Sequence, residues 1–441
     1  MQIPHKYAKE YTYMSASSQS EKPALREAIQ AYLKVGLLSF GGPAAQISLM
    51  HKIFVDEKKW LNEKQYLGAL SFCMLLPGPE AMQLATYIGW RLHGIIGGLI
   101  AGLLFVLPGA FIILSLALLY AYFGNTGWLA HAFLGVKATV LIVVIEALLR
   151  VSKKALLDKQ HWVIAAFAFL SIFVFDLPYP LIVVIAGLFG FFSSKNTLAD
   201  DETITLPSIS LRQTFKTIGI WLAVWFVPLI FTGWLTDWGF LYDIGVFFSK
   251  LATVTFGGAY AVLAYMSQEV VFDLKWLTTA QMMDGLGLAE TTPGPLILVT
   301  QFVGFMAGFQ EEGVALAIMA SILVLWVTFA PCFLWIFAGA PYIEWMVAQP
   351  RLKDALSAIT AAVVGVILSL SLWFGLHVLF AEVSRGTLWF MNIWQPELGS
   401  LNIWVLLFSI LSFYLLIIRH VNIIYVLGIC ASLGLLSSLI S

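Results

Sequence analysis

Apolar positions dominate this chain in stretches of about twenty residues at a time, and polar positions gather mostly in short stretches between them. Runs of that length are what an α-helix needs to cross a bilayer core of about 30 Å. They cover roughly 24–50, 65–90, 95–122, 128–149, 162–177 and 178–194, then 217–235, then 241–263, 281–308, 314–338, 355–380, 401–418 and 421–440. The pattern predicts six helical segments, one extra segment, and six more. The segments lack the alternation expected of outer-membrane barrel strands.

Two of the runs in each set of six are interrupted by glycine and proline, and the interruptions repeat. Phe40-Gly41-Gly42 and Pro77-Gly78-Pro79 recur as Phe256-Gly257-Gly258 and Pro293-Gly294-Pro295, each displaced by 216 residues. The same displacement pairs Lys34 with Lys250, Lys59-Trp60-Leu61 with Lys275-Trp276-Leu277, and Gln65 with Gln281. A broken helix frees backbone N–H and C=O groups that lipid cannot satisfy, so it is tolerated only where protein or water covers it. Matched breaks in two halves are the sequence mark of a transporter's substrate site.

Composition sharpens the class. Of 441 residues, 60% are hydrophobic and 11% charged, which is outside the range of soluble domains. The fold class expected is an all-α polytopic membrane protein of two repeats, 24–194 and 241–441. A stretch at 195–240 with one extra helix joins them, and a polar cytosolic tail, 1–23, precedes them. That tail has no apolar core or cleavage site of a signal peptide. Cys73, Cys332 and Cys430 stand isolated in apolar runs and read as buried thiols.

Lysine and arginine set the expected topology. The loop 51–64 carries Lys52, Lys58, Lys59 and Lys64, and Arg150, Lys153, Lys154 and Lys159 form a second cluster. Both fall on the cytoplasmic side if the broken segments are re-entrant; full crossing by some of them is the alternative. Segment 217–235 then inverts the second half, which places the loop 267–280, with Lys275 alone, outside. Inverted-topology repeats follow.

Candidate site residues cluster at the breaks. Pro43, Pro79 and Pro295 stand where helices restart, with positive dipole ends and uncapped N–H groups suited to an anion. The substrate-binding candidates are therefore Gly41, Gly42, Pro77, Gly78, Pro79, Gly257, Gly258, Pro293, Gly294 and Pro295, joined by Gln46 and Gln83 as neutral hydrogen-bonding groups. Lys34 and Lys250 precede the Phe-Gly-Gly breaks by six residues. An ionisable group at membrane depth is a functional candidate, and snorkelling to the headgroups is the alternative. Glu80 and Glu290 lie beside the breaks without being repeat mates, and are candidates to carry a coupling proton. Lys137 and Lys353 share the 216 displacement and read as ends of spans. Gly94, Gly98 and Gly102, with Gly304 and Gly308, read as helix-packing ladders.

Other chemistry is excluded on its signatures. There is no phosphate-cradling Gly-x-x-x-x-Gly-Lys-Ser/Thr loop, no paired histidine spacing for a metal, and no set of residues for nucleophilic catalysis. No cofactor and no nucleic-acid partner are expected.

Taken in order, Phe40-Gly41-Gly42-Pro43-Ala44, Trp60-Leu61 after a charged loop, Leu76-Pro77-Gly78-Pro79 and Phe105-Val106-Leu107-Pro108 resemble the chromate ion transporter family. The second Phe-Gly-Gly and Thr292-Pro293-Gly294-Pro295 resemble its long, two-domain members. The resemblance implies a multi-pass carrier of the plasma (inner) membrane that exports chromate, a tetrahedral dianion resembling sulfate, as a resistance device; a homodimer is left open. Gln46 stands where first-half relatives often carry His, and Ala259-Tyr260 where second-half relatives continue the glycine run. These departures bear on substrate more than on fold. The alternatives are carriage of sulfate or another small anion, and a membrane-embedded enzyme or lipid-handling protein.

Overall fold

The computed structural model describes residues 22–124, 126–194, 211–236, 239–256, 258–388 and 391–439. The first half contains α1 (Leu25–Leu38), α2 (Gly42–His51), α3 (Glu63–Leu75), α4 (Glu80–Phe123), α5 (Gly127–Ala155), α6 (Lys159–Phe173) and α7 (Tyr179–Ser193). The linker helix is α8 (Leu211–Leu235). The second half contains α9 (Phe240–Thr253), α10 (Ala259–Gln268), α11 (Thr279–Thr291), α12 (Val299–Glu312), α13 (Val314–Gly339), α14 (Ile343–Ala348), α15 (Pro350–Leu379), α16 (Ile403–Phe413) and α17 (Ile423–Ser437). Among the described residues five helices are long and apolar enough to cross a membrane, α8 among them, so the chain is an all-α polytopic membrane protein.

Matched residues adopt matched local structure. Asn62 and Thr278, displaced by 216, both cap their helices, and Gln65 and Gln281 return the capping-box bond. Lys59 and Lys275 both sit at φ 53°, each just after a π-helical turn, Lys52–Glu57 and Glu269–Asp273. Past α15 the displacement becomes 244: α6 and α16 start at 159 and 403, α7 and α17 at 179 and 423. The turns before the last helices place Asp176 at φ 51° and His420 at φ 53°, again 244 apart.

The extra 28 residues, 244 less 216, include a β-hairpin of β1 (Val383–Leu388) and β2 (Met391–Pro396), which the apolar pattern did not predict. Arg385 anchors it by pairing with Asp176 and stacking on Phe272 and Trp394.

The halves exchange their last helices. α5 packs against α16 and α17, while α15 packs against α6 and α7. The contacts are so close that Gly190 lies against the Asp354 carbonyl and its mate Gly434 against that of His131, where a Cβ would strike backbone.

Two sequence readings change. Gly94 is not a rung of a packing ladder but the corner of α4, where His93 and Gly94 (φ 63°) leave helical geometry. Residues 80–92 fold back so that Gly89 touches Gly97, while Gly98 and Gly102 face Thr86 and phenylalanines of α13. Lys137 does not mark the end of a span: it lies well inside α5 and pairs at 2.9 Å with Asp284 of α11.

Candidate functional site

The four described breaks meet in reciprocal contacts. Gly78 N–H donates to the Thr255 carbonyl at 2.7 Å, and Gly294 N–H donates to the Ser39 carbonyl at 2.9 Å. Since Gly78 and Gly294 are mates, as are Ser39 and Thr255, each half clasps the other in the same way, the pattern of a two-fold interface. Both glycines sit at positive φ, 122° and 95°, where side chains are disfavoured.

The glutamines complete the backbone. Gln46 Nε2 donates to the Gly294 carbonyl at 2.7 Å and to that of Ser39 at 3.3 Å, and Gln83 Nε2 donates to Pro77 at 2.7 Å. Carbonyls orphaned by the breaks are thereby satisfied, as a water-poor interior requires. This differs from the expectation that Gln46 and Gln83 face a ligand. Their amide N–H groups are engaged, and only their Oε1 atoms are buried without a partner.

Restarted helices behave as expected. Gly41 at φ 84° precedes α2, Pro43 lies in its first turn, and no side chain caps it. Pro79 precedes α4 and Pro295 precedes a short 3-10 turn leading into α12, again without side-chain caps. Pro77 and Pro293 lie within the same two breaks. Gly258, at φ 101°, precedes α10; Gly257 lies outside the described residues.

A cavity of about 220 Å³ reaches the first break. Gly41 lines it, with Glu146 and Arg150 of α5, Tyr260 of α10, Glu290 of α11, and His420 before α17. At about 30 Å³ per water, it has room for a small hydrated ion. Tyr260 donates to Glu290 at 2.9 Å, and a Cβ on Gly42 would lie 3.9 Å from the Tyr260 hydroxyl. Glu290 is 5% exposed. Arg150, half-exposed, pairs with Glu146 one turn earlier. Lys154, one turn beyond Arg150 on the same face, lies within electrostatic reach of Glu80 beside the second break.

Beside the cavity the halves are packed unequally. α10 packs closely against α15, and Val262, Leu263, Ala264 and Met266 are buried. Its mate α2 stands off α5, which leaves Gly42, Pro43 and Ala44 half-buried and Ala45 exposed.

Lys34 and Lys250 are not brought to this site. The Lys34 side chain is 52% exposed and pairs with Glu57 at 3.5 Å; Lys250 is exposed on α9. The buried stripe of α1 is Ala28, Ala31, Tyr32 and Val35, and Lys34 falls beside it. Replacing either lysine by Met is expected to change anion affinity by less than about 1 kcal/mol, the range of exposed ion pairs. Equilibrium chromate binding to Lys34→Met and Lys250→Met checks this.

The chromate transporter family matches residues 26–191 and 242–435. This chain belongs to that family. The transporter is 32% identical over 339 residues to a chromate transport protein of Pseudomonas aeruginosa, covering 76% of this chain and 77% of that one. It is 31% identical to one of Cupriavidus metallidurans, with 78% and 80% covered. An uncharacterized transporter of Methanocaldococcus jannaschii is 27% identical over 81% of this chain and 86% of its own. No solved structure matches the transporter. Relatives and apolar helices together place it in the plasma membrane as a multi-pass protein.

The sequence pattern does not single out Arg150, Glu146, Tyr260 and His420 as site residues: in it Arg150 reads only as a marker of the cytoplasmic face and Tyr260 only as a departure from the glycine run. The signal for Arg150 lies in the i, i+4, i+8 spacing of Glu146, Arg150 and Lys154 on one face of a helix.

Proposed function

We propose that the chain is a secondary transporter that exports chromate across the plasma membrane by alternating access of two inverted halves, 24–194 and 241–441, joined through 195–240. The observation that carries this reading is the unequal pair: α10 shut against α15, α2 open from α5, with a cavity beside them, lined from α5, α10 and α11, that reaches Gly41 of the first break. Closing α2 on α5 and releasing α10 from α15 exchanges the roles of the halves and moves the opening to the other face.

In this reading the dianion meets the uncapped first turn of α2, the Tyr260 hydroxyl and the Arg150 guanidinium. A half-helix end of roughly half a charge cannot by itself offset the hydration lost. Arg150 supplies the full charge, and its planar fork suits a tetrahedral oxyanion. The loop 51–64 is cytoplasmic and 267–280 external, so the cavity opens inward, beside Arg150, Lys153 and Lys154.

The test is flux in proteoliposomes that contain only this protein and lipid. An imposed membrane potential should drive labelled chromate across, with sulfate as competitor. Sulfate moving in preference to chromate would reassign the substrate. Conversion or movement of lipid without oxyanion flux would point to the enzyme or lipid-handling alternative.

A further inference from the structure

The cavity that reaches Gly41 is unusual for an anion site, because its charges are the wrong way round. Glu146 and Glu290 bring two carboxylates, Arg150 brings one guanidinium, and Tyr260 and His420 complete the polar lining. With both carboxylates ionised, the lining carries a net negative charge and faces a dianion. Arg150 is already engaged with Glu146, and the Tyr260 hydroxyl is turned toward Glu290. In this arrangement the Tyr260 hydroxyl is not free for the substrate, and the Arg150 charge is already balanced by Glu146.

We infer that chromate and one proton bind to this cavity together, with Glu290 as the residue that takes the proton. The inference rests on the transport reading above and names its coupling ion. The step is a simple proton transfer: the Glu290 carboxylate takes a proton from a water at the cavity, one O–H bond forms on the carboxyl as one breaks in the water, and the hydroxide left behind passes to bulk solvent. Two consequences follow. The net charge of the lining falls to zero, which removes the repulsion of the dianion. The neutral carboxyl becomes an O–H donor, and the Tyr260 hydroxyl, no longer held by a carboxylate, can turn to an anion oxygen.

Among the two carboxylates, geometry selects Glu290. It is 5% exposed, it sits on α11 just before the second Pro-Gly-Pro, and its hydrogen bond comes from Tyr260 of α10, the helix that closes on α15. Glu146 is half-exposed at the mouth and already neutralised by Arg150. The other charged groups facing Glu290 are Glu146 and Arg150 of α5, and His420 shares the cavity. The translocated unit then carries a dianion and a proton, one net negative charge, which an inside-negative potential drives outward.

The experiment uses purified full-length protein and potassium chromate, in weakly buffered detergent solution over the alkaline range, where chromate itself carries no proton. Wild type should take up about one proton per chromate bound, and its affinity should fall about tenfold per pH unit. Glu290→Gln, a neutral isostere of the protonated form, should bind chromate without proton uptake and without pH dependence. Glu146→Gln should retain the uptake. Chromate binding by wild type with no proton uptake overturns the inference, as does uptake that persists in Glu290→Gln and vanishes in Glu146→Gln. Failure of wild type to bind chromate at any pH would instead overturn the transport reading itself, and this inference with it.

Discussion

Gly294→Val is expected to reduce chromate flux by about a hundredfold while leaving the amount of protein in the membrane near that of wild type. Gly294 holds φ 95°, donates to Ser39 and accepts from Gln46, so two segments of the first half converge on this one residue of the second. Left-handed backbone costs a side-chain-bearing residue about 1–2 kcal/mol. A Cβ there would lie 3.1 Å from Leu298 Cδ1 and 3.5 Å from the Phe105 carbonyl, so a β-branched side chain must displace the break. Misplacing a binding element by about 1 Å can cost a hundredfold in rate. Insertion depends on the flanking apolar runs and is spared. The mate, Gly78→Val, faces Gln83 Nε2 at 2.8 Å and Cys332 Sγ at 3.0 Å and should behave alike. Normal initial rates of flux in both variants would show that the breaks serve packing alone.

Asp284→Ala is expected to cost about 3–5 kcal/mol of stability, the range for stranding one partner of a buried ion pair. The Lys137 and Asp284 side chains are 14% and 9% exposed, and Tyr120 donates to the second carboxylate oxygen at 2.7 Å. Removing the carboxylate leaves an ammonium among α4, α5 and α11 with nothing to balance it. Adding Lys137→Met should recover most of the loss, because the double variant buries no lone charge. Thermal unfolding in detergent measures both. A single variant as stable as wild type would mean that the pair is solvated in the working protein.

Much of this architecture was legible because its signals are local. Glycine and proline announce the breaks, the mates at a displacement of 216 announce the duplication, and Gln65 and Gln281 mark capping boxes that form as matched. The cavity was less legible because it is assembled across distance. Gly41, Glu146, Tyr260, Glu290 and His420 come from five separate parts of the chain, and no spacing in sequence encodes their approach. Lys34 shows the opposite case. Sequence proximity draws it toward the break, while helical periodicity places it beside the buried stripe of Ala28, Ala31, Tyr32 and Val35. The hairpin 383–396 escaped because it lacks a turn dipeptide and gains its anchorage from Asp176 and Phe272, residues far away in the chain.

The most direct test of the cavity as the substrate's path is chromate protection of a single cysteine within it. Ala147 lines the cavity beside Glu146, and the native Cys73, Cys332 and Cys430 are buried and can be replaced. Ala147→Cys, on a background lacking those three, is labelled with a membrane-impermeant thiol reagent from each side in turn, with and without chromate. Labelling is expected from the side of loop 51–64, slowed by chromate at concentrations that saturate transport. Labelling that chromate leaves unchanged, in protein that still transports it, would contradict this site.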